Sequence, residues 1–278
     1  MRILITSVGA KVPLLRWARI AIDKAGGGAI VGQDRDLTVT GARFVDEMSA
    51  DIPSDCDVVI PTRDAELAWI AKYGAVVCED IDRFTDKLRF SEYCKVLGIK
   101  HPVTTLSPEG HDLPMVSKAR NGSGSRDFRI LLTKQFTIAK DEPEQIYQER
   151  ITGTEYSCDA YYTCEGQLHG YVVRSRDRIN HGEAWVTTVT TDRHLSQVCR
   201  DYLQRFDGMR GPVNMQLIGD TLIEINPRVG GAISCSIAAG LDVLYWSILE
   251  AQGKTLPRFE LYPVRQIRFA TDIYEEIA

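Results

Sequence analysis

The chain opens with short apolar runs punctuated by turn residues. Residues 2–6 are apolar almost without interruption, as in a strand buried on both faces, and lead through Ser7-Val8-Gly9-Ala10 into a 3.6-residue periodicity carried by Leu14, Leu15, Ala18 and Ile22. Ala29–Gly32, Asp57–Ile60 and Val76-Val77-Cys78 repeat the strand signal, and Ala65–Tyr73 reads as a helix. Strands alternating with helices predict an open parallel α/β sheet. The first strand–helix turn has a single glycine and lacks Gly-x-Gly-x-x-Gly, which argues against a dinucleotide site there.

A helix is predicted from Phe84 to Gly98, with Thr85 as N-cap, Leu88, Cys94 and Leu97 on its buried face, and Gly98 as its stop. Lys87 falls in its first turn, where the helix dipole disfavours a cation. Read alone, Lys87 is equally well explained as a solvated lysine. Between 102 and 148 the pattern changes to Pro102, Pro108 and Pro114, then a short strand closing on Lys118 and a loop through Gly122, Ser123, Gly124 and Arg126. Such a loop can surround phosphates with N–H groups and an ammonium, although it is no Walker A motif and a hairpin tip is the plainer reading. Period-two alternation resumes after Thr152-Gly153, predicting a new sheet that runs through Gln167–Val173 into Arg174-Ser175-Arg176-Asp177-Arg178. That arginine run marks a solvated edge or an anionic-substrate wall. Amphipathic helices are expected at His194–Phe206 and from Gly230-Gly231 to near Gly253.

The stretch Asn214 to Gly231 combines two apolar strands, a Gly219-Asp220 turn and an Asn226-Pro227-Arg228 corner. Leu222, Glu224 and Asn226 share one face of the second strand. Two oxygen ligands at a strand end suit Mg²⁺, and Arg228 suits a phosphate or carboxylate; a hairpin with a chance polar end is the competing reading. A regular two-residue turn would pair Gln216 with Ile223 and aim it away from Glu224. A bulged or three-residue turn is therefore expected if Gln216 joins that face.

Bulk properties narrow the function. Of 278 residues, 44% are hydrophobic and 26% charged, ordinary for a globular protein, and the net charge of −5 contains no basic block, which argues against nucleic acid. The seven cysteines form no ligand cluster and read as reduced thiols of a cytoplasmic protein. No stretch is apolar enough for a signal peptide or a membrane span.

Four signals occur in a fixed order: Lys87 at a helix start, Lys118 before a Gly/Ser loop, Gln148-Glu149-x-Ile151-x-Gly153-x-Glu155, and Asn214-x-Gln216 followed by Glu224-x-Asn226-Pro227-Arg228-Val229. This order resembles the ATP-grasp superfamily over nearly the whole chain, and the last segment resembles its carbamoyl-phosphate-synthase large-subunit-like branch. The resemblance implies an α/β (α+β) ATP-grasp fold: a Rossmann-like parallel domain over 1–84, a linker helix and lid over 85–148, and a mixed-sheet subdomain with the metal site over 149–278. It implies ATP and Mg²⁺ (or Mn²⁺) as cofactors. Lys87 and Lys118 would neutralise phosphates under a lid at Gly122, Ser123 and Gly124. The backbone of Gln148, Glu149 and Ile151 would recognise the adenine edge, Ile151 would pack on the ring, and Glu155 would hold the ribose. Gln216, Glu224 and Asn226 would hold the metal, with neutral Gln216 where many relatives carry an acid. Arg228 would meet the transferring phosphoryl group, and Arg174, with His181 nearby, would face a substrate. The implied activity is a ligase joining a small carboxylate, such as an amino acid or short peptide, to an amine through an acyl phosphate. Carboxyphosphate chemistry and a non-catalytic nucleotide-binding module are the alternatives. The chain is short for a stand-alone ligase of this kind, so a homodimer or partner subunit is expected to complete the pocket.

Overall fold

The computed structural model describes residues 1–70, 78–122, 128–133, 144–180, 182–272 and 274. The expectations for a strand at Val76-Val77 and for Ser123, Gly124, Arg126 and His181 lie outside the described residues. Strand β1 (Arg2–Thr6) sits between β2 (Ala29–Gln33) and β4 (Val58–Ile60), parallel to both, and β3 (Glu47–Ser49) extends the sheet beyond β2. None of the three residues of β3 is buried, so it left no apolar trace in the sequence. Helix α1 (Val12–Lys24) buries Leu14, Leu15, Ala18, Ala21 and Ile22 against one face of this sheet, as its periodicity predicts. Because side chains alternate along β1, Ile3 and Ile5 join the core beneath α1, while Leu4 joins the opposite core with Leu222 and Phe206. One strand thus ties both halves of the molecule together.

Short helices α2 (Leu67–Ile70) and α3 (Asp82–Thr85) lead to α4 (Lys87–Val96). The N-cap of α4 is Asp86, not Thr85: its carboxylate accepts from the N–H groups of Leu88 and Arg89, whereas the Thr85 hydroxyl turns back to the Ile81 carbonyl. An anionic cap offsets the first-turn Lys87. Phe90, Ser91 and Cys94 form the buried face, rather than Leu88 and Leu97, because Phe84, Phe90 and Tyr93 gather around Phe206, with centroids 6.0 Å apart for Phe84–Phe206. Gly98, at φ +64°, ends the helix.

A second sheet, antiparallel in the order β5-β8-β6-β7, contains β5 (Thr104–Thr105), β6 (Met115–Ala119), β7 (Arg129–Leu131) and β8 (Gln145–Glu149). The third has six strands in the order β13-β12-β9-β10-β11-β14 and is antiparallel at every described pairing. Its strands are β9 (Glu155–Tyr162), β10 (Leu168–Asn180), β11 (Glu183–Val189), β12 (Gly211–Ile218), β13 (Thr221–Asn226) and β14 (Arg265–Ile267). Helix α5 (Arg193–Leu203) is capped by Asp192.

The helix expected to run unbroken past Gly230-Gly231 is two helices, α6 (Ile233–Ala238) and α7 (Val243–Ala251). Gly240 makes the break: its φ is +103°, and a β-carbon there would stand 2.1 Å from the Glu260 carbonyl oxygen. Gly240→Ala is expected to lower stability by about 2 kcal/mol or more. Urea unfolding checks this, and an unchanged midpoint would contradict the close approach.

Candidate active site

The third sheet has one apolar face and one that is apolar at Tyr161, Val172 and Val189 and polar beyond them. Cys158, Ala160, Val213, Met215 and Leu217 point into the core. Glu155, Ser157, Asp159, Arg174, Arg176, Asn214, Gln216, Glu224 and Asn226 occupy the other side. The pairings Asn214↔Asp159, Gln216↔Ser157, Gln216↔Glu224, Asn214↔Asn226 and Arg174↔Ser157 bring these strands' polar residues level. The hairpin achieves this in a particular way. The Gly219-Asp220 turn is a two-residue turn that pairs Ile218 with Thr221 and Leu217 with Leu222, and Gly219 adopts φ +58°. One extra residue then enters the second strand at Ile223, so Gln216 lies opposite Glu224. The bulge supplies the parity, one pair further from the turn than expected.

At the base of the polar face, Asp159 is fully buried and accepts from Arg174 Nε at 2.8 Å, Asn214 Nδ2 at 2.6 Å and Ser236 Oγ at 2.6 Å. Arg174, expected to face a substrate, is instead 2% exposed and also donates to Thr187 Oγ1 at 3.3 Å. It is the counterion of Asp159, because a carboxylate at that depth requires pairing. Gly230 is glycine for the same cluster, since a β-carbon would stand 2.7 Å from Asn214 Nδ2.

Two residues along β10, Arg176 reaches the open part of the face. Its Nη1 donates to Gln216 Oε1 at 2.8 Å and lies 3.0 Å from Glu155 Oε2, and its Nη2 donates to the Gly182 carbonyl at 2.6 Å. The amide oxygen of Gln216 is therefore occupied by a guanidinium, which does not suit a metal ligand. Glu224 Oε1 accepts from Asn226 Nδ2 at 3.1 Å, which leaves the Asn226 amide oxygen and the second Glu224 oxygen without that contact.

The second sheet and the helices supply the facing wall. Burial pushes the Lys118 ammonium down to about 8; Glu224 opposes this and Lys87 adds to it. Lys87 is also lowered by burial, against the pull of Glu224, Asp64 and Asp86, and its Nζ donates to the Gly122 carbonyl at 2.7 Å. Arg228 grips Asp64 with a two-pronged contact, Nε to Oδ1 at 2.7 Å and Nη2 to Oδ2 at 2.8 Å. Burial opposes the charge of Arg228, but Asp64 and Glu224 hold its ionisation above the ordinary value. Burial lowers Arg176 as well, against Glu155 and Glu224. Glu224 is thus one carboxylate shared by Lys87, Lys118, Arg176 and Arg228. Asp64 matches Arg228 and Glu155 matches Arg176, so Lys87 and Lys118 with Glu224 leave room for further negative charge.

In β8, inside the second sheet, Gln148 is buried, its main chain paired with Thr104 and Val116 and its side chain donating to Thr104 Oγ1 at 2.7 Å. The adenine expectation for this segment concerns its backbone groups, and the tied side chain does not bear on it. Glu149 is tied by accepting from the Val103 N–H at 3.2 Å, which leaves the Arg150–Ile151 segment as the open part of the hinge. Among the described residues no group of three or more His, Cys, Asp or Glu could hold a metal. The donor set that fits Mg²⁺ is Glu224 with Asn226, an arrangement that leaves most of the octahedron to phosphates and water. Sequence reasoning missed Asp64 and underrated Arg176. Arg174 and Arg176 have the same parity, and only depth in the sheet separates a buried counterion from a site residue.

Residues 141–271 match the family model described as ATP-grasp in the biosynthetic pathway with Ter operon. No curated protein matches the chain. Among solved structures, the N5-carboxyaminoimidazole synthetase of Staphylococcus aureus, complexed with ADP, is 16% identical with a TM-score of 0.72, over 94% of this chain and 80% of that one. The biotin carboxylase domain of the Hydrogenobacter thermophilus 2-oxoglutarate carboxylase, solved with MgADP, ADP and bicarbonate, is 15% identical with a TM-score of 0.71, over 93% of this chain and 71% of that one. The biotin carboxylase of Campylobacter jejuni is 14% identical with a TM-score of 0.69, over 94% of this chain and 73% of that one.

Proposed function

We propose that this chain, whose fold is the ATP-grasp fold, is an ATP- and Mg²⁺-dependent ligase that activates a small carboxylate as an acyl phosphate. The observation that carries the reading is that Lys87, Lys118, Arg176 and Arg228 all lie within the electrostatic reach of Glu224, which is held beside Asn226. A carboxylate oxygen attacks the γ-phosphorus of ATP, the bond from that phosphorus to the β–γ bridging oxygen breaks, and ADP leaves. An amine then attacks the acyl carbon, phosphate departs, and the amine's surplus proton passes to solvent. The first step brings two anions together, so positioning and charge neutralisation do most of the work. Lys87 and Lys118 bind the polyphosphate, and Arg228, aimed by Asp64, meets the transferring group. In this reading Glu155 takes the ribose hydroxyls and the Arg150–Ile151 backbone takes adenine. Magnesium, held by Glu224 and Asn226, would supply charge neutralisation between phosphate oxygens.

Incubation with ATP, Mg²⁺ and matched panels of carboxylates and amines should release ADP only when both substrates are present. ADP release independent of every carboxylate would sink the reading. A second reading, with bicarbonate as the activated carboxylate, is favoured by the bicarbonate bound in the Hydrogenobacter biotin carboxylase domain structure. ADP release driven by bicarbonate without an added amine would select it.

The position of Lys118 near 8 gives a further prediction. Bound phosphates favour the ammonium, so between about pH 8 and 9 the complex holds more protons than the free protein. ATP binding is expected to take up protons in that window and to weaken as pH rises through it. Calorimetry in two buffers of different ionisation enthalpy measures the uptake. Lys118→Arg, which does not titrate there, should abolish it; equal uptake in the variant would reassign the proton.

A further inference from the structure

A cleft lies between the β1–α1 turn, which presents Ala10 and Lys11, and the segment after β13, which presents Val229, Gly230 and Gly231; Arg268 closes it beyond β14. Val229 directly follows Arg228, so the cleft adjoins the phosphoryl-transfer corner. Two cationic side chains in it have donors without acceptors. Lys11 is 24% exposed, and its ionic partner among the described residues is Glu183 at 3.7 Å, beyond hydrogen-bonding distance. Arg268 pairs through Nη1 with Glu183 and through Nη2 with the Gly231 carbonyl at 2.8 Å, while its Nε is buried with no partner among the described residues. A buried donor left unpaired is costly, so this guanidinium is incompletely satisfied where it stands. Burial holds Lys11 below its ordinary ionisation; Glu183 supports its charge, while Arg228, Arg63 and Arg268 oppose it. Arg228 is matched by Asp64. In the cleft lining, Lys11 and Arg268 therefore outnumber Glu183, and the cleft carries surplus positive charge. Gly231 leaves the floor low, since a β-carbon there would press on Glu183 Oε1 at 3.3 Å.

We infer that the acid activated beside Glu224 carries a second anionic group, carboxylate or phosphate, and that Lys11 and Arg268 in this cleft receive it. The inference rests on the ligase reading and narrows its substrate class. Glu183 is the resident counterion that the incoming group displaces from Lys11.

The test is calorimetric titration of the full chain, saturated with Mg²⁺ and ADP, with two matched pairs: aspartate against alanine, and O-phosphoserine against serine. In at least one pair the member with the extra anionic group should bind about tenfold more tightly, since one charge-assisted contact in a part-buried site has that worth. The pair that shows the preference distinguishes carboxylate from phosphate. Lys11→Met should remove the preference while leaving ADP affinity unchanged, and Arg268→Gln should reduce it; Glu183→Gln should enlarge it. Equal affinity within both pairs, no binding by either dianion, or a Lys11→Met variant that weakens both members alike would overturn the inference. Failure of the wild-type chain to bind ADP would instead sink the ligase reading, and the same titrations without nucleotide would still decide the cleft.

Discussion

Glu224→Gln is expected to lower ATP turnover by about a hundredfold or more while ADP affinity stays level or tightens. The two effects separate because Glu224 serves the site in two ways. As the carboxylate that acts on all of Lys87, Lys118, Arg176 and Arg228, it restrains the positive charge that attracts the polyphosphate. Neutralising it removes a repulsive neighbour from the phosphates, so binding does not suffer. With Asn226 it is also the anionic half of the donor set that fits Mg²⁺, and a neutral amide is a far poorer ligand for a hard cation. Metal-assisted stabilisation of transferring phosphoryl groups is worth several kcal/mol, hence the size of the loss. Steady-state ADP release and direct ADP titration of the same preparation check both halves. Turnover falling in parallel with ADP affinity would show that Glu224 acts only in binding.

Asp159→Ala is expected to destabilise the fold by about 3–5 kcal/mol, the cost of leaving one partner of a buried ion pair uncompensated. Arg174, Asn214 and Ser236 all donate to this fully buried carboxylate, and the substitution strands each of them. For a chain of this size that energy corresponds to a fall in Tm of about 10 °C. Arg176→Ala, removed two residues away on the same face, should change Tm by much less, because Arg176 contacts the partly exposed Glu155. A thermal melt of the two variants compares them. Equal shifts would mean that the sheet's polar face has no buried foundation distinct from the site.

The sequence disclosed elements whose side chains repeat with a period set by burial on one face. Strands β1 and β2, helix α1 and the β12–β13 hairpin are of this kind, and Glu224 and Asn226 share a face simply because strands alternate. Elements held by contacts remote in sequence were not legible. Strand β3 has no buried residue, and the split between α6 and α7 depends on the Glu260 carbonyl passing Gly240. The site followed the same division. Lys87, Lys118 and Arg228 lie at element boundaries where turn residues mark them. Arg174 could not be distinguished from Arg176, because depth within a sheet is set by the α6 residues that cover one end, such as Ser236. Asp64, which aims Arg228 from 164 residues away, left no local signal. The bulge at Ile223 is intermediate: parity required one somewhere, and the ladder places it beyond the turn.

Lys87, Lys118, Arg228 and Glu224 are expected to direct a carboxylate onto the γ-phosphate of ATP. Phosphorus NMR of a reaction with Mg²⁺, ATP, an amine panel and carboxylates labelled with heavy oxygen tests it most directly. The account predicts ADP and inorganic phosphate, with one labelled oxygen transferred from the carboxylate to the phosphate. AMP and pyrophosphate, or phosphate free of the label, would contradict it.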